Sequence, residues 1–219
     1  MTGLDSVRAR IARAAESVGR QPESVTLVVV TKERPVEEIG ALYSQGQKHF
    51  GENRAQELAA KVDRLPSDIT WHFIGPLQTN KVRIVRPIVG MLHSLDRPEL
   101  GPAWVKGPGS PPPVLVQVRI GGEVQKHGVD PGQAVGLCLK ARALGIEVKG
   151  LMAIPPPVAA PEEAAPYFRQ LAEIGAEVTQ LIPDANELSM GMTDDFEVAV
   201  AAGATIVRVG RAIFGPVPN

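Results

Sequence analysis

A single cysteine, Cys138, excludes an intramolecular disulfide and a cysteine-built metal site from this 219-residue chain. It sits in LCLKARAL, an apolar helical pattern, and reads as a buried structural thiol. Aromatic residues are scarce at 4%, which leaves few platforms on which bases could stack. Charge is balanced too: a net −1 lays no basic footprint for nucleic acid. No apolar run is long enough to span a bilayer. The N-terminal MTGLDSVRARIARAAESVGR lacks the continuous apolar core of a signal peptide, and Asp5 and Glu16 argue against a transit peptide. No GxGxxG follows a strand-like segment, which weakens a dinucleotide site. Together these absences lead us to expect a cytoplasmic protein that binds neither nucleic acid nor membrane and holds no metal.

What is present is organised around Leu27–Lys32, LVVVTK. Side chains alternate along a strand, so Val28, Val30 and Lys32 share one face and Leu27, Val29 and Thr31 the other. Both faces are apolar until the last two residues, the pattern of a strand buried on both sides of a parallel sheet. Further strands are read in KHFGEN, WHFIG, MLHSLD, VLVQVRI, EVKGLMAI, NELSMG and TIVRVG. Helices are read at 4–18, from Pro35 to Gly46, and at 54–65, 77–87, 133–144, 162–182 and 194–202. RPELGPAWVKGPGSPPP, dense in glycine and proline, predicts a stunted helix after strand four. Eight strands alternating with helices, preceded by one extra helix, predict a single (β/α)8 TIM barrel over residues 1–219. A doubly wound open sheet is the alternative.

Barrels place their chemistry at the carboxyl ends of the strands. Those ends carry Lys32, Gly51-Glu52-Asn53, His72 with Gly75, His93 with Ser94, Arg119, Met152, Ser189 with Gly191, and Arg208 with Gly210. Lys32 could merely snorkel to solvent. Alternatively, a partly desolvated lysine gives up its proton more easily and can attack an aldehyde. His72 could be a satisfied core histidine, His93 and Ser94 could cap the next helix, and Glu52 is best read as held by a neighbouring cation. Loops after strands seven and eight often bind phosphate in barrels; here they offer Ser189, Gly210 and Arg211. Arg208 shares a face with Ile206 and Gly210 and is expected to point into the barrel mouth. An imine-forming lysine, a phosphate cradle and an inward arginine describe a site for pyridoxal 5′-phosphate (PLP). A PLP-free barrel enzyme acting on a phosphorylated sugar would need paired carboxylates or a metal, and only Glu52 is suitably placed.

The motifs LVVVTK, HFGENRAQEL, WHFIGPLQTNK, LHSLDR, QKHG, GLMAIPPP, LSMGMTDDFEVAVAAGATIVRVG and AIFG, running in order from Val25 to Gly215, resemble the pyridoxal-phosphate homeostasis protein family. Its members are similar to the barrel domain of bacterial alanine racemase. The resemblance implies PLP bound as a Schiff base on Lys32, with Asn53 and His72 near the cofactor. It also implies Ser189, Gly210 and Arg211 at the phosphate and Arg208 facing the pyridine nitrogen. Lys126 in QKHG matches a position implicated in cofactor exchange. Pro76, Arg54, Arg119 and Arg211 depart from the residues common there, and Arg211 replaces a small hydroxyl residue. The implied role is a non-catalytic carrier that buffers or delivers PLP as a monomer, with transient contact to PLP-dependent apo-enzymes. A PLP-dependent amino-acid racemase is the alternative. It needs a second base, a tyrosine from a C-terminal domain that this chain, ending at Asn219, is not expected to have; neither Tyr43 nor Tyr167 is expected at the mouth.

Overall fold

Eight strands pair in parallel, in sequence order, and close into a barrel: β1 (Thr26–Val30), β2 (His49–Glu52), β3 (Thr70–Phe73), β4 (Met91–Leu95), β5 (Val114–Gln117), β6 (Val148–Met152), β7 (Glu187–Ser189) and β8 (Ile206–Val209). This is a computed structural model and describes residues 3–107, 109–122 and 127–215. Closure is made by β8 against β1, in the register Thr26↔Ile206, Leu27↔Val207, Val28↔Arg208 and Val29↔Val209. The helices are α1 (Gly3–Glu16), α2 (Val36–Ser44), α3 (Ala55–Val62), α4 (Val82–Val85), α5 (Leu100–Val105), α6 (Ala134–Ala143), α7 (Ala165–Leu181), α8 (Phe196–Ala201) and α9 (Arg211–Phe214).

Alternation sorts the core. Phe50, Trp71, Phe73, Leu92, Leu151, Val207 and Val209 are buried in one continuous core with helical residues such as Leu58, Phe168, Leu171 and Phe196. The opposite parity of the strands supplies a separate apolar cluster of Val28, Leu115, Met152 and Ile206, with Met91 packed against it. Leu27, Val28 and Val29 are all buried, as a strand covered on both faces requires. Outside the barrel, α1 packs against α8 and α9 through Leu4, Val7, Ile11 and Ala15. Arg10 of α1 clasps Glu197 with two hydrogen bonds, 3.1 and 2.6 Å, over the ring of Phe196. Cys138 is buried on α6, and burial pushes its thiol up to about 12, leaving it inert.

Three local expectations change. The first strand ends at Val30, two residues before Lys32, because Glu33 adopts a left-handed φ of 59° and turns the chain off the sheet. The helix expected at 77–87 splits into a 3-10 turn at Thr79–Lys81 and the four-residue α4, since Gln78 is extended and delays helix entry. The helix expected at 54–65 stops at Val62. The stunted helix after strand four is the six-residue α5, with Pro102 in its first turn, where no N–H is needed. The proline-rich stretch behind it wraps Trp104, which is fully buried and donates its indole N–H to Pro112 O at 2.9 Å. Trp104→Ala is expected to destabilise the fold by roughly 3–5 kcal/mol through the cavity it leaves, measured as a fall in urea midpoint at unchanged m-value.

Candidate functional site at the barrel mouth

Just beyond β1 the backbone makes a tight turn. Thr31 N donates to Gly51 O at 3.0 Å, and Arg34 N returns to Thr31 O at 3.1 Å. Lys32 and Glu33 are the central residues of that turn, and a left-handed third residue is what a type II turn demands. Lys32 is exposed, not partly desolvated, and among the described residues its side chain makes no hydrogen bond or ion pair. The turn lies beside the end of β2, to which Thr31 Oγ1 donates at Glu52 Oε1 (2.6 Å); across the top, Arg54 pairs with Glu33 at 3.3 Å. Glu52 is fully buried and, as expected, is held by a cation, Lys61 Nζ at 2.6 Å. Burial raises its pKa, while the bonds from Lys61 and Thr31 work the other way.

Inside the barrel, polar side chains form a continuous chain. Arg208 Nη1 donates to Ser189 Oγ at 2.6 Å, and its Nη2 donates to Ala153 O at 3.0 Å. Ser189 Oγ lies 2.9 Å from His93 Nδ1, His93 Nε2 lies 2.8 Å from His72 Nδ1, and His72 Nε2 lies 3.0 Å from His49 Nδ1. Only one proton arrangement satisfies every member. Arginine can only donate, so the Ser189 hydroxyl proton goes to His93, which then carries its own proton on Nε2. The reverse direction would leave that buried hydroxyl proton with no acceptor along the chain. The same reasoning passes to His72 and His49. All three rings are therefore neutral Nε2–H tautomers, and the chain runs from Arg208 to His49, which lines a cavity of about 470 Å³ at the amino-terminal end of the barrel.

The electrostatics agree. Burial lowers His72 to about 3, helped by its neighbour His49, and holds His93 well below its ordinary value, helped by His72 and Arg208. Burial also lowers His49. Arg208 is depressed by burial to about 10, with Asp195 opposing, so the guanidinium stays charged at neutral pH.

The loop after β7 is shaped by two features. Gly191 has φ 91°, and a Cβ there would lie 2.5 Å from Ala199 Cβ; Asp195 accepts from Met192 N at 2.7 Å. Gly210 and Arg211 open α9, and Arg211 pairs with Asp194, both side chains being exposed. Asn53 follows β2 with Oδ1 buried and, among the described residues, without a hydrogen-bond partner. It lines a cleft of about 560 Å³ with Glu57, Pro76 and Lys81. Arg119 pairs with Asp130 on the rim. Tyr43 lies on α2, bonded to Asp68, while Tyr167 is on α7 facing Gly121. Lys126 lies outside the described residues. Among the described residues no cluster of three His, Cys, Asp or Glu could hold a metal, and no helix is long and apolar enough to cross a membrane.

His72, Ser189 and Arg208, expected at the site, are thus joined in one buried network; Lys32, Asn53, Gly210 and Arg211 are not members of it, and Lys32 and Arg211 are exposed. His93 joins the first three and does not cap a helix. His49 and Lys61 carry no expectation from the sequence. His49 could have been found by strand parity with Gly51. Lys61 could have been found from its place in the buried stripe Ala55, Leu58, Lys61 on α3.

The donor set suits an anionic aromatic aldehyde. Arg208 uses two of its five N–H groups on protein oxygens, and Asn53 Oδ1 is a buried acceptor with no partner among the described residues. The family model described as the N-terminal domain of alanine racemase matches residues 3–218. A pyridoxal phosphate homeostasis protein of Aquifex aeolicus is 42% identical over 97% of this chain and 96% of its own. A protein of Bifidobacterium adolescentis, solved as a crystal structure, is 36% identical with a TM-score of 0.91, covering 97% of this chain and 93% of that one. PipY of Synechococcus elongatus, solved with PLP bound, is 36% identical with a TM-score of 0.77, covering 94% of this chain and 100% of its own. The fold and matches define an alanine-racemase-type barrel, and within that class the chain belongs to the pyridoxal phosphate homeostasis protein family.

The neutral histidines make stability depend on pH. Their folded pKa values lie below the unfolded value near 6.5, so the unfolded chain binds more protons and stability is lost as pH falls from 6.5 towards 3. With His72 and His93 both contributing, the unfolding free energy should fall by about 2.7 kcal/mol per pH unit once well below 6.5. Glu52 and Asp195, raised by burial, pull the other way above their ordinary values of 4.5 and 3.8. Urea melts at pH 7, 6 and 5.5 measure the net slope, and a His93→Gln variant isolates the histidine share: an unchanged slope in that variant would contradict the neutral chain.

Proposed function

We propose that this protein binds PLP at the barrel mouth, holds it covalently on Lys32 and serves intracellular PLP homeostasis by buffering or delivering the cofactor, without turning over a substrate. The observation that carries this reading is an exposed lysine just past the carboxyl end of β1, unpaired among the described residues, in a barrel whose neighbouring β8 carries the buried Arg208, bonded to Ser189 of β7. It is supported by relatives matched along nearly their full length that bear the homeostasis name. PLP supplies an aldehyde, whose oxygen leaves as water with the two hydrogens of the Lys32 amine as the carbon–nitrogen double bond forms.

In this reading Asn53 accepts from the ring hydroxyl, and Gly210, Arg211 and Ser189 serve the phosphate. Arg211 must leave Asp194 to do so, exchanging one anion for another. Ser189 is buried and already bonded on both sides, so its part is to hold Arg208 and His93 in place as much as to touch the ligand. His72, with both ring nitrogens engaged, acts through His93. Arg208 faces the pyridine nitrogen, where a permanent cation disfavours protonation and so weakens the ring as an electron sink. Release to apo-enzymes then requires only transient contact by a monomer.

Purified protein mixed with PLP and freed of excess should show visible absorption of covalently bound cofactor, absent from Lys32→Ala. No band in the unsubstituted protein would overturn the assignment. A carrier should also leave the α-proton of alanine in deuterated water exchanging no faster than with free PLP; faster exchange would make the protein a racemase.

A further inference from the structure

We infer that Lys61 is a positioning residue for Lys32: from the buried side of the barrel it fixes the turn that presents the Lys32 amine. The inference rests on the PLP reading above. Lys61 lies in the last turn of α3, where the stripe Ala55, Leu58, Lys61 faces the barrel, and only 6% of it is exposed. Helical side chains lean towards the helix N-terminus, which for α3 is the mouth end, so the stem of Lys61 climbs towards β1 and β2. There its three N–H groups are all used: Thr31 O at 2.7 Å, Glu52 Oε1 at 2.6 Å and Glu57 Oε1 at 2.6 Å.

Those acceptors bracket Lys32. Thr31, the preceding residue, adds two bonds to those its backbone makes with Gly51 and Arg34: its carbonyl accepts from Lys61 and its hydroxyl donates to Glu52. Glu33, the following residue, donates its backbone N–H to Glu57 Oε1 at 2.5 Å, the same oxygen that Lys61 grips. Glu33 is also the only non-glycine residue at positive φ among the described residues, a conformation that persists only where its surroundings impose it. A lysine needed only to neutralise Glu52 would have no reason to bond the Thr31 carbonyl or to share Glu57 with the Glu33 amide. The geometry is that of a clamp with Lys32 between its jaws, its side chain left free.

The clamp separates two properties that an ordinary structural ion pair would not. Without it the phosphate and ring contacts remain, while the amine is presented in the right place for only a fraction of the time. The test therefore compares PLP with pyridoxamine 5′-phosphate, which has the same ring and phosphate but no aldehyde to condense with Lys32. Lys61→Met, nearly isosteric, should weaken covalent PLP uptake about tenfold, the loss expected when a strained turn is no longer imposed, and leave the pyridoxamine phosphate affinity within about twofold. Lys61→Arg should recover part of the loss. Amide exchange at Glu33 should quicken in ligand-free Lys61→Met.

Equal losses for the two ligands, or no loss for either, would overturn the inference. Should Lys61→Met fail to fold, Glu57→Ala decides in its place: it frees the Glu33 amide on the solvent side, and an unchanged ratio of the two affinities would overturn the inference equally. Absence of covalent PLP in the unsubstituted protein would sink the cofactor reading, while Glu33 exchange would still report on the clamp alone.

Discussion

Closure of the barrel between β1 and β8 is the constraint from which the site follows. The register Val28↔Arg208 sets a strand from the start of the chain against one near its end. It thereby puts the Lys32 turn and the Gly210 loop on one rim. Neither strand could sustain this alone. Parallel pairing needs both faces covered, and α1 with α8 and α9 covers the outside of this seam while Val28 and Ile206 fill the inside. The seam is therefore structural first, and the lysine and arginine exploit a proximity already required by the fold.

Burying a chain of three imidazoles, a hydroxyl and a guanidinium in the barrel is costly unless every member is bonded, and here each one is. One-way donation from Arg208 leaves a single proton arrangement, so the network is rigid in protonation as well as in position. Burial also opposes any further proton on these rings, since a charged imidazole would be desolvated beside Arg208. At the rim Lys32, Arg54 and Arg211 are exposed, and the ion pairs Arg54–Glu33 and Arg211–Asp194 can open cheaply.

Strand parity alone makes much of the site legible. The alternation in TIVRVG aims Arg208 inwards, LVVVTK marks the doubly covered strand, and the Gly/Pro-rich stretch predicts a short α5. Parity falls short where one residue has two plausible partners. His93 followed by Ser94 reads as a cap, because a sequence does not say that the inward neighbour of His93 is His72 on one side and Ser189 on the other. Lys61 reads as any helical lysine, since its acceptors come from the β1 turn, β2 and its own helix.

The number of strands, their alternation with helices and most of the residues near their carboxyl ends can be read along the chain, because periodicity and turn chemistry are local; closure into a barrel, against the open-sheet alternative, comes from the pairing of β1 with β8. Contacts between distant segments are what put Lys32 in a turn in solvent and not on the strand, link the three neutral histidines in series and bring Lys61 under the turn. The reason is that burial and hydrogen-bond partnership are sums over segments distant in sequence. A side chain's charge state and its freedom are set by those sums and not by its neighbours along the chain.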